Sequence, residues 1–313
     1  MAAPDPAIAL FAPHPLLTVT IEAEGPARQS IHFHAGGQGV WVAAMARCMG
    51  ARPIFCGLLG GESGELLRAL LAQAVGTATH LVGTASASGC YVVDRRHGTR
   101  QLLAMTVSDP PGRHELDELC SLAISHAADC GWLVVTNPMP AEALPLEVYR
   151  DLVADARAAG ARTLVDLSCP RLDSALEGEP DLVKINDWEL AEFVRGPVSE
   201  PAQLLAAAQR LRDAGARRVV VTRGELPALV LDGEQTLELV PPRFEHGFRE
   251  GCGDAMLGAL AAAWAAHGDL PDALVQGAAA GAANFLRRGI GRASREVVQE
   301  LSAKVTLGPW PDV

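Results

Sequence analysis

The chain predicts an α/β fold: a central, mostly parallel sheet with helices on both faces, plus a small β-sheet lid. Three observations carry that expectation. From about residue 113 onward, helical and strand patterns alternate strictly, as βα units require. Near the amino terminus and around residue 100, paired segments instead alternate apolar and polar residues with period 2, the mark of strands that bury one face only. Glycine-rich turns recur where predicted strands meet helices, and in open α/β sheets that edge is where ligands sit.

The elements follow in order. Ile8 to Phe11 is a short apolar run closed by Pro13 and Pro15, a buried first strand. Residues 16–22 (LLTVTIE) and 29–34 (QSIHFH) are half-exposed strands. Gly36, Gly37, Gln38 and Gly39 then open a helix over 40–49. A strand over 53–58, a turn at Gly60-Gly61 and a helix over 62–74 come next. Strands 90–94 and 100–105 flank the turn Arg95-Arg96-His97-Gly98 and join the same small sheet. Helix 114–128 leads to strand 132–136, helix 145–159 to strand 162–166, and an apolar segment at 181–185 to helix 187–195. Helix 201–214, strands 217–222, 228–232 and 236–240, an Ala-rich helix after residue 254 and another over 271–287 complete the pattern. Without repeats or a low-complexity linker, one domain over 1–313 is expected, with lid insertions at approximately 14–35 and 88–106.

Composition narrows the function classes. The chain has 313 residues and is 49% hydrophobic, with 31 Gly, 21 Pro and a net charge of −11. That charge argues against nucleic acid and anionic membrane surfaces as partners, but not against one nucleotide held in a local site. Seven scattered cysteines with no CxxC pair argue against a zinc site or a disulfide framework. The amino terminus lacks a basic leader pattern, and no run reaches eighteen apolar residues. A reduced, cytoplasmic protein is expected.

Chemistry concentrates in the stretch GFREGCGDAMLGALAAAWAAH, residues 247–267. Gly251, Cys252 and Gly253 form a turn whose backbone N–H groups, with the positive end of the following helix, suit an anion such as phosphate. Asp254 is out of character there. It is either an N-terminal cap or a base beside a reacting phosphate. In Lys184-Ile185-Asn186-Asp187-Trp188-Glu189, Asn186 and Glu189 have capping-box spacing. The same pair suits water-mediated Mg²⁺ beside a phosphate chain, since Mg²⁺ keeps several waters. The two readings are compatible.

Four landmarks in register resemble the ribokinase/PfkB family of ATP-dependent sugar kinases, and its phosphofructokinase branch most. GGQGVWVAAMARCMGA resembles the amino-terminal GGxGxNVA signature, KINDWEL the KxNxxEL segment, VVVTRG the strand ending in Ser/Thr-x-Gly, and GCGDAMLGAL the GAGDxFxGA signature. The resemblance spans about residues 8–287 and implies a ribokinase-like fold. It implies Asp254 as general base and the amides of Gly251, Cys252 and Gly253 as anion hole. It implies ATP and Mg²⁺ as cofactors, Mg²⁺ organised by Asn186 and Glu189. Lys184, Asn186, Thr222, Gly224 and Arg249 would border the nucleotide, with Gly281 and Asn284 near the adenine. The acceptor would face His14, Thr18, Gly36, Gly37, Gln38, Gly39 and Trp41.

This chain departs from the family pattern chiefly on the acceptor side. Thr18 stands where the family places a sugar-binding Asp, Trp41 where it places Asn, and Gln38 where Lys is common. The Thr-Arg pair that grips a substrate phosphate is replaced within 85–89, and Thr136-Asn137-Pro138-Met139-Pro140 replaces a Ser- and Gly-rich segment. Losing a carboxylate, an amide and a guanidinium together weakens the case for a phosphorylated ketohexose. Closer to the nucleotide, Arg249 replaces Thr, Pro227 a glycine, and Cys252 the common Ala, as a packed thiol. The expected activity is kinase chemistry on a hydroxyl of a sugar or sugar-like molecule. The alternative is a catalytically idle relative that binds a nucleotide or metabolite as a regulator. A dinucleotide-dependent oxidoreductase is disfavoured, because GxGxxG is missing after the first strand. The half-exposed lid strands make a homodimer through the lid the expected assembly.

Overall fold

The computed structural model describes residues 5–25, 28–76, 78–97, 99–287 and 293–311. In chain order the elements are β1 (Ala7–Phe11), β2 (Leu16–Ala23), β3 (Gln29–Gly36), α1 (Gln38–Cys48), β4 (Arg52–Leu59), α2 (Gly61–Val75) and β5 (Thr79–Gly83). Then come β6 (Cys90–Asp94), β7 (Gln101–Thr106), α3 (Arg113–Cys130), β8 (Trp132–Thr136), α4 (Glu147–Ala158), β9 (Arg162–Asp166), α5 (Arg171–Glu177) and β10 (Leu182–Asn186). The remainder is α6 (Asp187–Val194), α7 (Pro201–Asp213), β11 (Arg218–Arg223), β12 (Leu226–Asp232), β13 (Gln235–Val240), α8 (Cys252–His267), α9 (Leu270–Phe285), α10 (Arg295–Ser302) and β14 (Thr306–Pro309).

The large sheet runs β14-β13-β12-β11-β10-β9-β8-β1-β4-β5. From β11 to β5 every neighbouring pair is parallel, while β11 to β14 pair antiparallel. The ribokinase-like α/β expectation is met. The small sheet is β3-β2-β6-β7, so both predicted hairpins do share it. Gly98, of the predicted 95–98 turn, lies outside the described residues.

Period-2 alternation splits the central strands between two cores. Ile8 and Leu10 of β1 face α1, α8 and α9, while Ala9 and Phe11 face α3 and α4. β5, α5, α10 and β14 are not foreseen from sequence. Each has eight residues or fewer, too short for a period to show. Among the described residues no helix is long and apolar enough to cross a membrane.

α8 is buried on every side, which explains its Ala-rich composition. Small residues let its neighbours approach at backbone distance. A Cβ on Gly258 would lie 2.3 Å from the Val42 carbonyl of α1, and one on Gly277 of α9 would lie 3.0 Å from the Met256 carbonyl. The turn at the start of α8 therefore rests on a helix that α1 and α9 approach at backbone distance.

Candidate active site

The N-cap of α8 is Gly251, with φ 73°, a left-handed conformation that glycine adopts without strain. It offers no side chain to the first-turn N–H groups. Asp254 is the third helical residue. α1 also starts from an uncapped positive-φ glycine, Gly37 at φ 99°. Two helix N-termini thus open toward one region with their amides uncapped by side chains.

Lys184, near the end of β10, is buried and donates to Asp166 Oδ2 at 2.7 Å. It also presses against the turn, since a Cβ on Gly253 would sit 2.6 Å from its Nζ. Burial draws this ammonium toward neutrality. The carboxylates of Asp166, Asp254 and Glu189 outweigh burial and hold its pKa above the ordinary lysine value. Burial first, and then the Asp166 charge, push Asp254 up to about 7, against the opposing pull of Lys184 and Gln38. Burial and Asp166 also raise Glu189. Three carboxylates share one ammonium at the C-terminal edge of the sheet. The carboxylate on the turn is half protonated near neutrality, poised to exchange a proton.

Asn186 and Glu189 form the capping box of α6. Glu189 N donates to Asn186 Oδ1 at 2.9 Å, and Asn186 N donates to Glu189 Oε2 at 3.2 Å. Glu189 still has its second oxygen for other work. Among the described residues, no group of three or more His, Cys, Asp or Glu side chains is placed to hold a metal ion unaided. An all-oxygen donor set with few protein ligands fits Mg²⁺ carried mainly by water and phosphate.

Farther along this edge, Thr222 Oγ1 donates to the Ile185 carbonyl at 3.3 Å, and Gly224 turns the chain into β12 at φ 63°. Pro227 lies inside β12, and its carbonyl accepts from Arg223 at 3.5 Å. On α9, buried Asn284 donates to the Glu250 carbonyl at 2.8 Å and to Cys252 Sγ at 3.5 Å. Gly281 packs against the Cys252 carbonyl. These two residues dock α9 onto the turn. Burial raises the Cys252 thiol, with Asn284 pulling the other way, so it stays a neutral, packed thiol at pH 7. Arg249 is exposed.

On the acceptor side, Gly36, Gly37 and Gly39 are demanded by sterics. A Cβ would meet Thr18 Oγ1 at 2.5 Å, the His14 carbonyl at 3.3 Å and Ala12 Cβ at 2.2 Å respectively. Trp41 is half-buried on the first turn of α1. His14 is buried with its Nδ1 unpaired, and burial lowers its pKa to about 4. It lines a small polar cavity with Thr84, Ser86, Ser88, Ser108 and Asp109, apart from the Asp254 cluster. His32 and His34 stack on each other, exposed on β3, and Arg28 pairs with Glu24 in solvent.

The sequence reading missed several residues of this site. Asp166 is the partner of Lys184. Asn137 and Arg171 form a network behind Gln38. Arg95 and Arg100 of the lid bind Glu250 at 3.2 and 3.3 Å, tying the lid to the residue before the turn. Only Asp166 had a usable signal, a carboxylate at the ligand end of a predicted buried strand.

Residues 14–296 match the model of the pfkB family carbohydrate kinases. The chain is 30% identical over 293 residues to ATP-dependent 6-phosphofructokinase isozyme 2 of Escherichia coli K12, covering 92% of this chain and 93% of that enzyme. It is 31% identical over 242 residues to a 1-phosphofructokinase of Xanthomonas campestris, covering 75% and 74%. The crystal structure of E. coli phosphofructokinase-2 in complex with potassium superposes with a TM-score of 0.84 at 27% identity, covering 95% of this chain and 98% of that one.

Proposed function

The chain belongs to the pfkB family of carbohydrate kinases, phosphotransferases acting on an alcohol group, and from that premise we propose the following reaction. The γ-phosphoryl group of ATP passes to a hydroxyl of a sugar or sugar-like acceptor, with Asp254 as general base and the Gly251–Gly253 amides as anion hole. One observation carries this reading: a carboxylate held near pH 7 on the third residue of an uncapped, glycine-entered helix. Asp254 takes the proton of the acceptor hydroxyl as that oxygen attacks the γ-phosphorus. The amides of Gly251, Cys252 and Gly253 stabilise charge on the transferring oxygens. Lys184 sets the local field, and Thr222, Gly224, Arg249, Gly281 and Asn284 border the nucleotide. Kinases of this family use ATP with Mg²⁺; here Glu189, steadied by Asn186, would hold the ion through water. Mg²⁺ held there would supply positive charge to offset that of the phosphate groups. His14, Thr18, Gln38 and Trp41 shape the acceptor pocket, with Gly36, Gly37 and Gly39 letting the backbone close on it.

The relatives include kinases named for 6-phosphofructose, 1-phosphofructose and D-tagatose 1-phosphate. Acceptor-dependent ADP formation across those sugar phosphates, free sugars, cyclitols and nucleosides tests the reading. It fails if no acceptor stimulates ADP release above an Asp254→Asn control. The substitutions at Thr18 and Trp41 favour a second reading, a nucleotide- or metabolite-binding regulator, which tight binding without turnover would support. We read the chain as one domain with the lid inserted at about 14–35 and 88–106, acting in the cytoplasm. Ile31 and Phe33 of β3 are 61% and 54% exposed, and Leu102, Leu103 and Met105 are exposed on β7. Such apolar lid strands suit a homodimer. Light scattering of Phe33→Asp should then report a monomer where the parent protein is a dimer.

A further inference from the structure

The small sheet β3-β2-β6-β7 hangs from the core by four chain crossings: β1 to β2, β3 to α1, β5 to β6 and β7 to α3. Three of them line the polar cavity around His14. The ring comes from the first crossing, Thr84, Ser86 and Ser88 from the third, and Ser108 and Asp109 from the fourth. The second crossing abuts the same residue, since a Cβ on Gly37 would lie 3.3 Å from the His14 carbonyl. Hydrogen bonds join the crossings beside the cavity. Leu17 N donates to the Gly89 carbonyl at 2.9 Å, and Gly89 N donates to Ser108 Oγ at 3.0 Å. Gly60 N, at the entry to α2, donates to Ser88 Oγ at 3.1 Å, and the Ser88 carbonyl accepts from Ser63 Oγ at 2.6 Å.

The groups turned into the cavity are not fully satisfied by protein. His14, 7% exposed, has a buried Nδ1 with no partner among the described residues. Ser88 and Ser108 are buried and accept from backbone N–H groups, but their hydroxyl protons reach no acceptor among the described residues. Buried polar groups of this kind are nearly always paired, with protein or with an ordered water. The cavity has room for about one water molecule. A water there can accept from both hydroxyls and donate to Nδ1 of the neutral ring, the three bonds typical of a buried water. Asp109, exposed where it lines the cavity, disfavours an anion. A metal ion would lack ligands, since no group of three or more His, Cys, Asp or Glu is placed to hold one among the described residues. We propose that the cavity is a hydrated hinge: one buried water, held by His14 Nδ1 and the hydroxyls of Ser88 and Ser108, joins three crossings that carry the small sheet and limits its swing from the core. The hinge goes beyond the kinase reading and does not depend on it, since no substrate is needed to form it or to detect it.

A high-resolution crystal structure of the protein should show one ordered water within about 2.7–3.2 Å of His14 Nδ1, Ser88 Oγ and Ser108 Oγ. Amide hydrogen exchange read by mass spectrometry then tests the hinge. His14→Leu replaces the ring with an apolar side chain, so the water loses its acceptor and the two serine protons are stranded. Exchange in β2 and β6 should quicken roughly tenfold, the worth of one buried unsatisfied group, while β9 and β10 of the core keep the parent's rate. His14→Asn puts back a polar partner and should recover most of the parent's protection. If His14→Leu does not fold, Ser108→Ala takes away one of the water's donors and should show the same pattern. An ion in place of the water, or a cavity without ordered density, overturns the site. Exchange in β2 and β6 that stays at the parent's rate in His14→Leu, or quickens equally in β9 and β10, overturns the hinge. So does an equal loosening in His14→Leu and His14→Asn, which would mean that ring packing alone sets the position of the small sheet.

Discussion

The two sides of the active-site mouth are built in opposite ways. The phosphoryl side is the Gly251–Asp254 turn on α8, a helix buried all round and gripped by α1 and α9 at backbone distance. The lid side is a four-stranded sheet whose edge strand β7 is exposed throughout and whose other edge strand, β3, is exposed over most of its length. The two meet through long side chains, Arg95 and Arg100 reaching Glu250. On the kinase reading proposed above, backbone amides and close-packed helices would fix the transfer geometry, and acceptor contacts on the lid strands could change without disturbing the core. That division accounts for Thr18, on lid strand β2, departing from the family pattern while the turn keeps it; Gln38 and Trp41 change on the first turn of α1 itself.

The largest break in this comparison comes from the turn. Asp254→Asn should reduce kcat by about two to four orders of magnitude, the usual worth of a general base. Stability should move the other way. Burial raises this carboxyl above its unfolded value, so its ionised form is the disfavoured one in the folded chain. The parent protein therefore loses stability as pH rises from the ordinary carboxylate range through about 7. Asparagine does not titrate, so the variant should melt higher than the parent at pH 8, with the gap closing toward pH 4. In the parent, log kcat/KM should fall with decreasing pH below about 7, where the base of the free enzyme takes up its proton. A variant that melts lower at pH 8 would show the carboxylate to be a structural partner instead.

Packing behind the turn gives the second effect. Gly258→Ala drives a methyl to 2.3 Å from the Val42 carbonyl and 3.1 Å from Ala46 N, both main-chain atoms that cannot swing away. Overpacking there should cost about 1–3 kcal/mol in urea unfolding, and activity should fall because the turn moves with α8. A substitution of Ile31 or Phe33 on the lid, tested as a monomer, should cost far less. Equal costs would erase the contrast between a rigid and an adaptable side.

A third test uses pH with the sign reversed. Burial lowers His14 to about 4, so the folded chain prefers the neutral ring. Its contribution is complete above the ordinary histidine range and is lost as pH falls from there toward 4. His14→Asn should remove this loss between about pH 6.5 and 4, and the melting temperature of the variant should then rise more steeply, or fall less, as pH drops through that range. His14 and Asp254 thus act with opposite sign in the same pH window, and each single variant uncovers the contribution of the other.

What sequence could foresee follows the same division. The anion turn, the capping box of α6 and the alternation of the central strands are local patterns, written within a few consecutive residues. Asp166 was harder, since a carboxylate after Leu164-Val165 resembles the start of a turn. Arg171 defied expectation, because arginine is ordinarily exposed and nothing nearby in the chain announces Asn137 or Ser168 as its acceptors. The contact between Glu250 and the lid arginines joins residues some 150 positions apart and leaves no periodic trace. Short elements such as β5 and α5 owe their form to the core they dock on more than to their own composition.

The smallest expected effect tests the joint between the two sides. The Arg95–Glu250 and Arg100–Glu250 pairs are 22–41% exposed in their side chains, so each is worth roughly 0–1 kcal/mol and is screened by salt. Arg95→Ala and Arg100→Ala should therefore hardly change the melting temperature. If the pairs do steady the lid over the turn, a double-mutant cycle between Arg95→Ala and Glu250→Gln should show about 0.5 kcal/mol of coupling in low salt that fades by about 1 M. The same variants should raise the KM for whichever substrate the lid covers while leaving kcat near the parent value, since no transfer group has been touched. Coupling that persists undiminished in high salt would mean the pairs are desolvated. The lid would then be an extension of the rigid side, and acceptor choice would have to reside in α1 and the loop after β1.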